Sequence, residues 1–140
     1  MPTLHTALAP LLPSKQNSFL SVRVDGVFNQ VAFRVMPAPL REKQPLFDLS
    51  RRQQLQSAHN VRGLLFGFWS PGCSNGFNIA GFHLHFISDD RTAGGHVTGF
   101  EAWDVKLSVG VLKDYVVELP QDEDFLGVPI RSYEEDQNLS

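Results

Sequence analysis

Three of the chain's five histidines fall close together, in Gly81-Phe-His-Leu-His-Phe-Ile-Ser-Asp-Asp-Arg-Thr-Ala-Gly-Gly-His96. Imidazole is the commonest protein ligand for transition metals. Alternating apolar residues around His83 and His85 predict a strand. On a strand, residues i and i+2 project from one face, with Cα atoms about 7 Å apart. Their ring nitrogens can converge on one ion, which for zinc needs bonds of about 2.0–2.1 Å. His96 must arrive from the returning strand. A tight, flat hairpin is expected to leave it too far along the ladder, so Ala93-Gly94-Gly95 is read as a curled or bulged return that closes the gap. Three histidines plus an open position is the pattern of a catalytic metal site, because the open position takes water or substrate. The plainer reading is a set of hydrogen-bonded core histidines with no metal.

Arg34 is the next residue with chemical potential. It interrupts an apolar run, Val31-Ala-Phe-Arg-Val-Met36. It stands either at an exposed edge or facing a cavity, where a guanidinium can hold a carboxylate bidentately. Arg23 has the same ambiguity in a less apolar setting. Asp89, Asp90 and Arg91 read as turn residues with a local ion pair. The alternative makes one carboxylate a partner that fixes a histidine tautomer. Glu134, Glu135 and Asp136 read as a solvated acidic end.

The elements that must position these residues are mostly strands. Leu20, Val22 and Val24 alternate with Phe19, Ser21 and Arg23, and Asp25-Gly26 reads as a hairpin turn. Val27–Met36 returns as a second strand, with Val31, Phe33 and Val35 on one face and Ala32, Arg34 and Met36 on the other; Pro37 and Pro39 end it. Leu40–Asn60 is polar and charged and reads as a mobile connection, with Ser50 as the cap of a short helix. Val61–Trp69 is a strand interrupted by Gly63 and Gly67, and Ser70–Gly76 is a loop. Phe77–Ser88, Val97–Trp103, Val105–Gly110 and Leu112–Leu119 are further β-runs. A short helix capped by Thr3 is expected over Leu4–Leu12. The expected fold is α+β, mostly β: a curled antiparallel sheet of about six to seven strands with one or two short helices.

Composition bounds the function. The chain has 140 residues, 42% hydrophobic and 19% charged, with 11 phenylalanines. That suits one compact domain over residues 1–140, with an acidic tail from about residue 121. A net charge of −3 and the lack of a basic run argue against nucleic acid as a partner. No segment approaches the ~18 consecutive apolar residues of a membrane helix, and the N-terminus makes a poor signal peptide. Cys73 stands alone, so no internal disulfide forms, and a cytoplasmic location is expected.

The stretch Gly81–Val97 closely resembles the characteristic motif of the α-acetolactate decarboxylase family. The resemblance runs upstream through Gly63-Leu-Leu-Phe-Gly-Phe-Trp-Ser-Pro71, Phe33-Arg-Val-Met-Pro37 and Ser21–Phe28, and downstream to Leu119-Pro120 and Phe125. It implies a zinc-dependent carboxy-lyase that converts 2-acetolactate to acetoin and CO2, with Zn2+ held by His83, His85 and His96. It implies that Arg34 is the active-site arginine and that Glu134, with Glu135 next, is the tail glutamate approaching the metal. The partner is a small 2-hydroxy-3-oxo acid. Its carbonyl and hydroxyl oxygens suit chelation, and a Lewis acid stabilises the charge left when CO2 departs. Arg34 would orient the carboxylate or help deliver the proton. Family members carry a further N-terminal β-rich domain that contributes another catalytic glutamate, and this sequence matches the part after it. Two readings follow: a decarboxylase, impaired in this short form, or a non-catalytic module binding metal or small acids, one part of a larger assembly. Sheet surface left uncovered implies a homo-oligomer.

Overall fold

A computed structural model describes residues 17–41, 44 and 46–127. Four strands carry the architecture: β1 (Phe19–Val35), β2 (Gln54–Ser70), β3 (Gly81–Ser88) and β4 (Gly94–Leu112). Two short helices, α1 (Leu46–Ser50) and α2 (Glu123–Gly127), lie outside the sheet, and a single 3-10 turn spans Gly72–Ser74. The strands close into an antiparallel barrel in the order β1-β2-β3-β4, with β4 returning to β1. Mostly-β character, curl and antiparallel pairing are as expected from the sequence. The strand number is four, not six to seven. The helix expected over Leu4–Leu12 lies outside the described residues.

The count drops because two pairs of expected strands are single bent ones. Asp25-Gly26 does not reverse the chain. β1 runs straight through it and pairs along its whole length with β2 on one side and β4 on the other. Gly26 has φ +149, and a Cβ there would collide with the Asp104 carbonyl oxygen and stand 2.9 Å from the Val105 Cα. The glycine therefore serves the close approach of β4 rather than a turn. Register slips on both sides of Phe28 against β4. On β2 the residue between the pairs Phe28↔Val61 and Gln30↔His59 is Asn60, at φ 49. These irregularities bend the long strands, as bulges do at barrel corners. Val97–Trp103 and Val105–Gly110 are likewise one strand, and residues 113–119 make no ladder at all.

Inward-facing residues change parity at the bend. Leu20, Val22, Val24 and Phe28 are buried before it, Val31 and Phe33 after it. Leu65, Leu84, Phe86 and Ala102 complete the core. Phe86 meets Phe28 edge-on at 5.9 Å between centroids and Phe33 tilted at 5.8 Å, a geometry aromatic pairs favour. The polar segment Gln54–Asn60 is strand, not loop, because its backbone pairs with the second half of β1. α1 ends at Ser50 instead of starting there, and turn bonds Arg52 N–H to Leu49 O and Gln53 N–H to Ser50 O lead into β2.

Gly26→Val should lower the urea unfolding free energy by about 1–3 kcal/mol or more, from strain and the collision with β4. Gly99→Ala, where nothing lies within 4 Å, should stay within about 0.5 kcal/mol of the parent.

Candidate metal centre

Because Leu84 and Phe86 point into the barrel, His83 and His85 point out of it. β3 turns into β4 through Asp89-Asp90-Arg91-Thr92, and the ladder pairs His85 directly with His96. The hairpin is symmetric: the midpoint between His85 and His96 falls between Asp90 and Arg91. No curled return is needed, contrary to the sequence-based expectation. Directly opposed residues share a face, so all three imidazoles stand on one patch of the outer wall.

The glycines before His96 have a different task. A Cβ on Gly95 would strike the Arg34 carbonyl oxygen and lie 2.9 Å from the Phe33 ring. Gly95 lets β4 lie against β1, where Arg34 pairs in register with His96. Arg34 is exposed but not at an edge, since Leu55 pairs with it from the other side. Around the wall the order is therefore Arg34, His96, then His85 with His83, then Phe66 and Phe68 of β2.

The turn holds itself. Asp90 Oδ1 accepts from Ser88 Oγ at 2.6 Å, Thr92 N at 3.0 Å and Thr92 Oγ1 at 2.9 Å. Ser88 N donates to Ala93 O at 2.9 Å, and Arg91 takes φ 58. Asp90 is thus a turn residue bonded to hydroxyls and an amide. Arg23 forms a bidentate pair with Asp25 at 2.7 and 2.6 Å, and stands opposite Phe66 on the far side of β2 from His85. Glu134 and Glu135 lie outside the described residues.

The ring nitrogens meet the requirements of a metal. His83 Nε2 and His85 Nε2 are 3.2 Å apart, and one nitrogen from each of the three rings lies within 4.8 Å of the others. Nitrogens at two corners of a zinc tetrahedron stand about 3.3 Å apart. One edge already matches and the widest needs closure of about 1.5 Å, within reach of ring rotation. The His83 and His85 rings stack, and His96 stands nearly perpendicular to both. Burial holds the His85 ring below the ordinary imidazole pKa, and the neighbouring His83 adds to this. Burial does the same for His96, aided by His83, His85 and Arg34. Neutral rings at pH 7 keep their lone pairs free for a metal. The set can hold a metal ion, and its open side faces outward.

That open side adjoins a cavity of about 550 Å3 which the sequence reading missed. His83 and His85 form one wall, Phe66 and Phe68 the next, and Phe19 with Tyr115 the far side. Tyr115 packs on Phe19 and Phe77, each at 5.2 Å between centroids. The signal was present in Leu64-Leu-Phe-Gly-Phe-Trp69: apolar residues of both parities place Phe66 and Phe68 on the outer face, as an apolar surface there.

A small closed barrel with a histidine cluster on its wall is the class that fold and site define. The family model for alpha-acetolactate decarboxylase matches residues 1–132, and the chain belongs to that family. It is 34% identical over 124 residues to the alpha-acetolactate decarboxylase of Brevibacillus brevis, covering 86% of this chain and 44% of that protein. Against the Methanosarcina mazei protein of the same name it is 38% identical over 114 residues, 81% of this chain and 39% of the relative. The crystal structure of acetolactate decarboxylase from Bacillus subtilis subspecies spizizenii superposes with a TM-score of 0.82 at 28% identity, covering 96% of this chain and 58% of that one. The chain spans somewhat under half the length of these curated relatives. Among the described residues no helix is long and apolar enough to cross a membrane.

Hydrogen bonds from Ser88 Oγ, then from Thr92, hold the Asp90 carboxyl below its ordinary value of 3.8. A depressed folded-state pKa contributes stability that is present above 3.8 and lost as pH falls through the folded value. Asp90→Asn should therefore melt below the parent at pH 7, and the gap in Tm should close as pH drops below 3.8.

Proposed function

We infer that this chain carries the metal-binding half of an acetolactate decarboxylase site, with His83, His85 and His96 as zinc ligands and Arg34 as the substrate-binding arginine. The observation that supports this best is the convergence of three ring nitrogens within 4.8 Å beside Arg34, in a chain of this family. The substrate of this reading is a small 2-hydroxy-3-oxo acid, 2-acetolactate, and the products are acetoin and CO2. Zinc, when bound, supplies Lewis acidity toward the hydroxyl and carbonyl oxygens of the acid. The protein's own groups do the rest. His83, His85 and His96 would hold the ion on the outer face of β3 and β4. Arg34, one strand away from His96, presents a guanidinium whose paired N–H donors suit a carboxylate. That contact orients the acid before CO2 leaves, and the cation then favours negative charge developing nearby.

Glu134 is the tail carboxylate of this reading, with Glu135 next to it. The exposed Trp103 and Phe77 suit self-association, which sedimentation velocity reads directly. The chain's span of under half its relatives supports one alternative, a metal-binding module that completes a site with groups from elsewhere.

Purified protein supplied with zinc should bind one equivalent by elemental analysis and release acetoin from 2-acetolactate. His83→Ala should lower zinc affinity by more than the ~10–100-fold typical of losing an outer partner of a ligand. An unchanged zinc content in that variant would sink the ligand assignment. Arg34→Ala should cost about 10²–10³ in kcat/KM, and Arg34→Lys should recover only part of it. Glu134→Gln, with Glu135→Gln as comparison, tests the tail. Stoichiometric zinc with no acetoin supports the module instead of the enzyme.

A further inference from the structure

Arg34 and the aromatic cavity lie on opposite sides of the histidines. Arg34 is one strand beyond His96, whereas Phe66 and Phe68 pair in register with His85 and His83 from the other side. Three inter-strand spacings separate the Arg34 and Phe66 positions along the curved wall, a path of about 14 Å at ~4.8 Å each. An acid lying across the three imidazoles thus has a cation at one end and aromatic rings at the other.

The cavity is large for the acid of the proposed function. Its 550 Å3 falls within the ~300–1,000 Å3 of pockets that enclose drug-sized ligands. The apolar parts of 2-acetolactate are two methyl groups, which leave most of that space unfilled. Phe66 is 46% and Phe68 52% exposed, so both rings offer apolar surface to a ligand. The segment after β4 roofs the space, with Tyr115 anchored between Phe19 and Phe77. Asp114 adds a carboxylate to the lining. It repels an acid's carboxylate from this end and so reinforces the orientation set by Arg34.

We propose that the cavity bounded by Phe66, Phe68, Phe19 and Tyr115 is a subsite for an alkyl or aryl substituent larger than methyl on a 2-hydroxy acid. The inference rests on the proposed zinc site and extends it to substrate class: the preferred 2-hydroxy-3-oxo acids carry a longer apolar chain than acetolactate. Burying each added methylene on these rings should tighten binding about three- to fourfold.

The test is calorimetric and independent of turnover. The zinc-loaded protein is titrated with 2-hydroxy-2-alkyl carboxylic acids, from methyl to hexyl. These lack the 3-oxo group and cannot decarboxylate by this route. Affinity should rise about three- to fourfold per methylene over the first few members. Phe68→Ala and Tyr115→Ala should flatten that slope, Phe68→Trp should shorten the longest chain accepted, and Trp103→Ala, outside the cavity, should leave the slope intact. A flat series in the parent protein, or a slope unchanged in both Phe68→Ala and Tyr115→Ala, overturns the subsite. If the methyl acid binds while the series stays flat, the zinc-site reading stands and only the subsite falls. If no acid binds the zinc-loaded protein, that reading falls and takes the subsite with it.

Discussion

The backbone ladder that sets His85 opposite His96 is the constraint on which the site depends. A strand alternates faces with period two, so a one-residue slip would send His96 into the barrel among Phe28 and Phe33. The register is fixed locally, by the carboxylate of Asp90 and the hydroxyl of Ser88 closing a four-residue turn. It is fixed globally by Leu84 and Phe86, whose burial allows β3 only one orientation. Turn chemistry and core packing agree, and that agreement specifies one geometry. The backbone thus sets the three imidazoles on one patch, where their rings also contact one another.

Much of this was legible in the residues. Alternation put Leu20, Val22 and Val24 on one face, and Arg34 on the face opposite Val31, Phe33 and Val35. The i, i+2 spacing gave His83 and His85 a common face. Two errors had physical causes. Asp25-Gly26 has the composition of a tight turn, but Gly26 is required by the close passage of β4, a long-range contact that no local window contains. Gln54–Asn60 has no apolar face, and only the partner backbone of β1 makes it a strand. His96 is a different case. Its position opposite His85 follows from counting inward from each residue to the Asp90-Arg91 centre, and the expectation of a curled return overlooked that symmetry.

The bend at Phe28–Asn29 links fold to site. By shifting parity, it lets one strand line the core with Phe28 and Phe33 and still present Arg34 outward beside His96. A straight β1 of the same sequence would put either Arg34 inside or Val24 outside. The long strands therefore also explain how four suffice to close a barrel: each bent strand forms part of the wall on both sides of its corner.

Placement on the outer wall sets how the site can work. Electrostatic interactions gain strength where water is excluded, and a convex wall excludes none by itself. Among the described residues only one side has cover, where Asp114, Tyr115 and Val116 line the aromatic cavity. On the other side Arg34 stands exposed, with Leu55 and Met36 also open at 73% and 43%. The two sides thus contribute differently. An exposed guanidinium attracts and orients an anion at a range limited by salt, with modest net affinity. If the proposed site binds acids, discrimination among those of equal charge would come from the covered side, where apolar surface is removed from water. On the proposed reading, a site that looks polar when reduced to three histidines and an arginine would take its selectivity from Phe66 and Phe68 next to them.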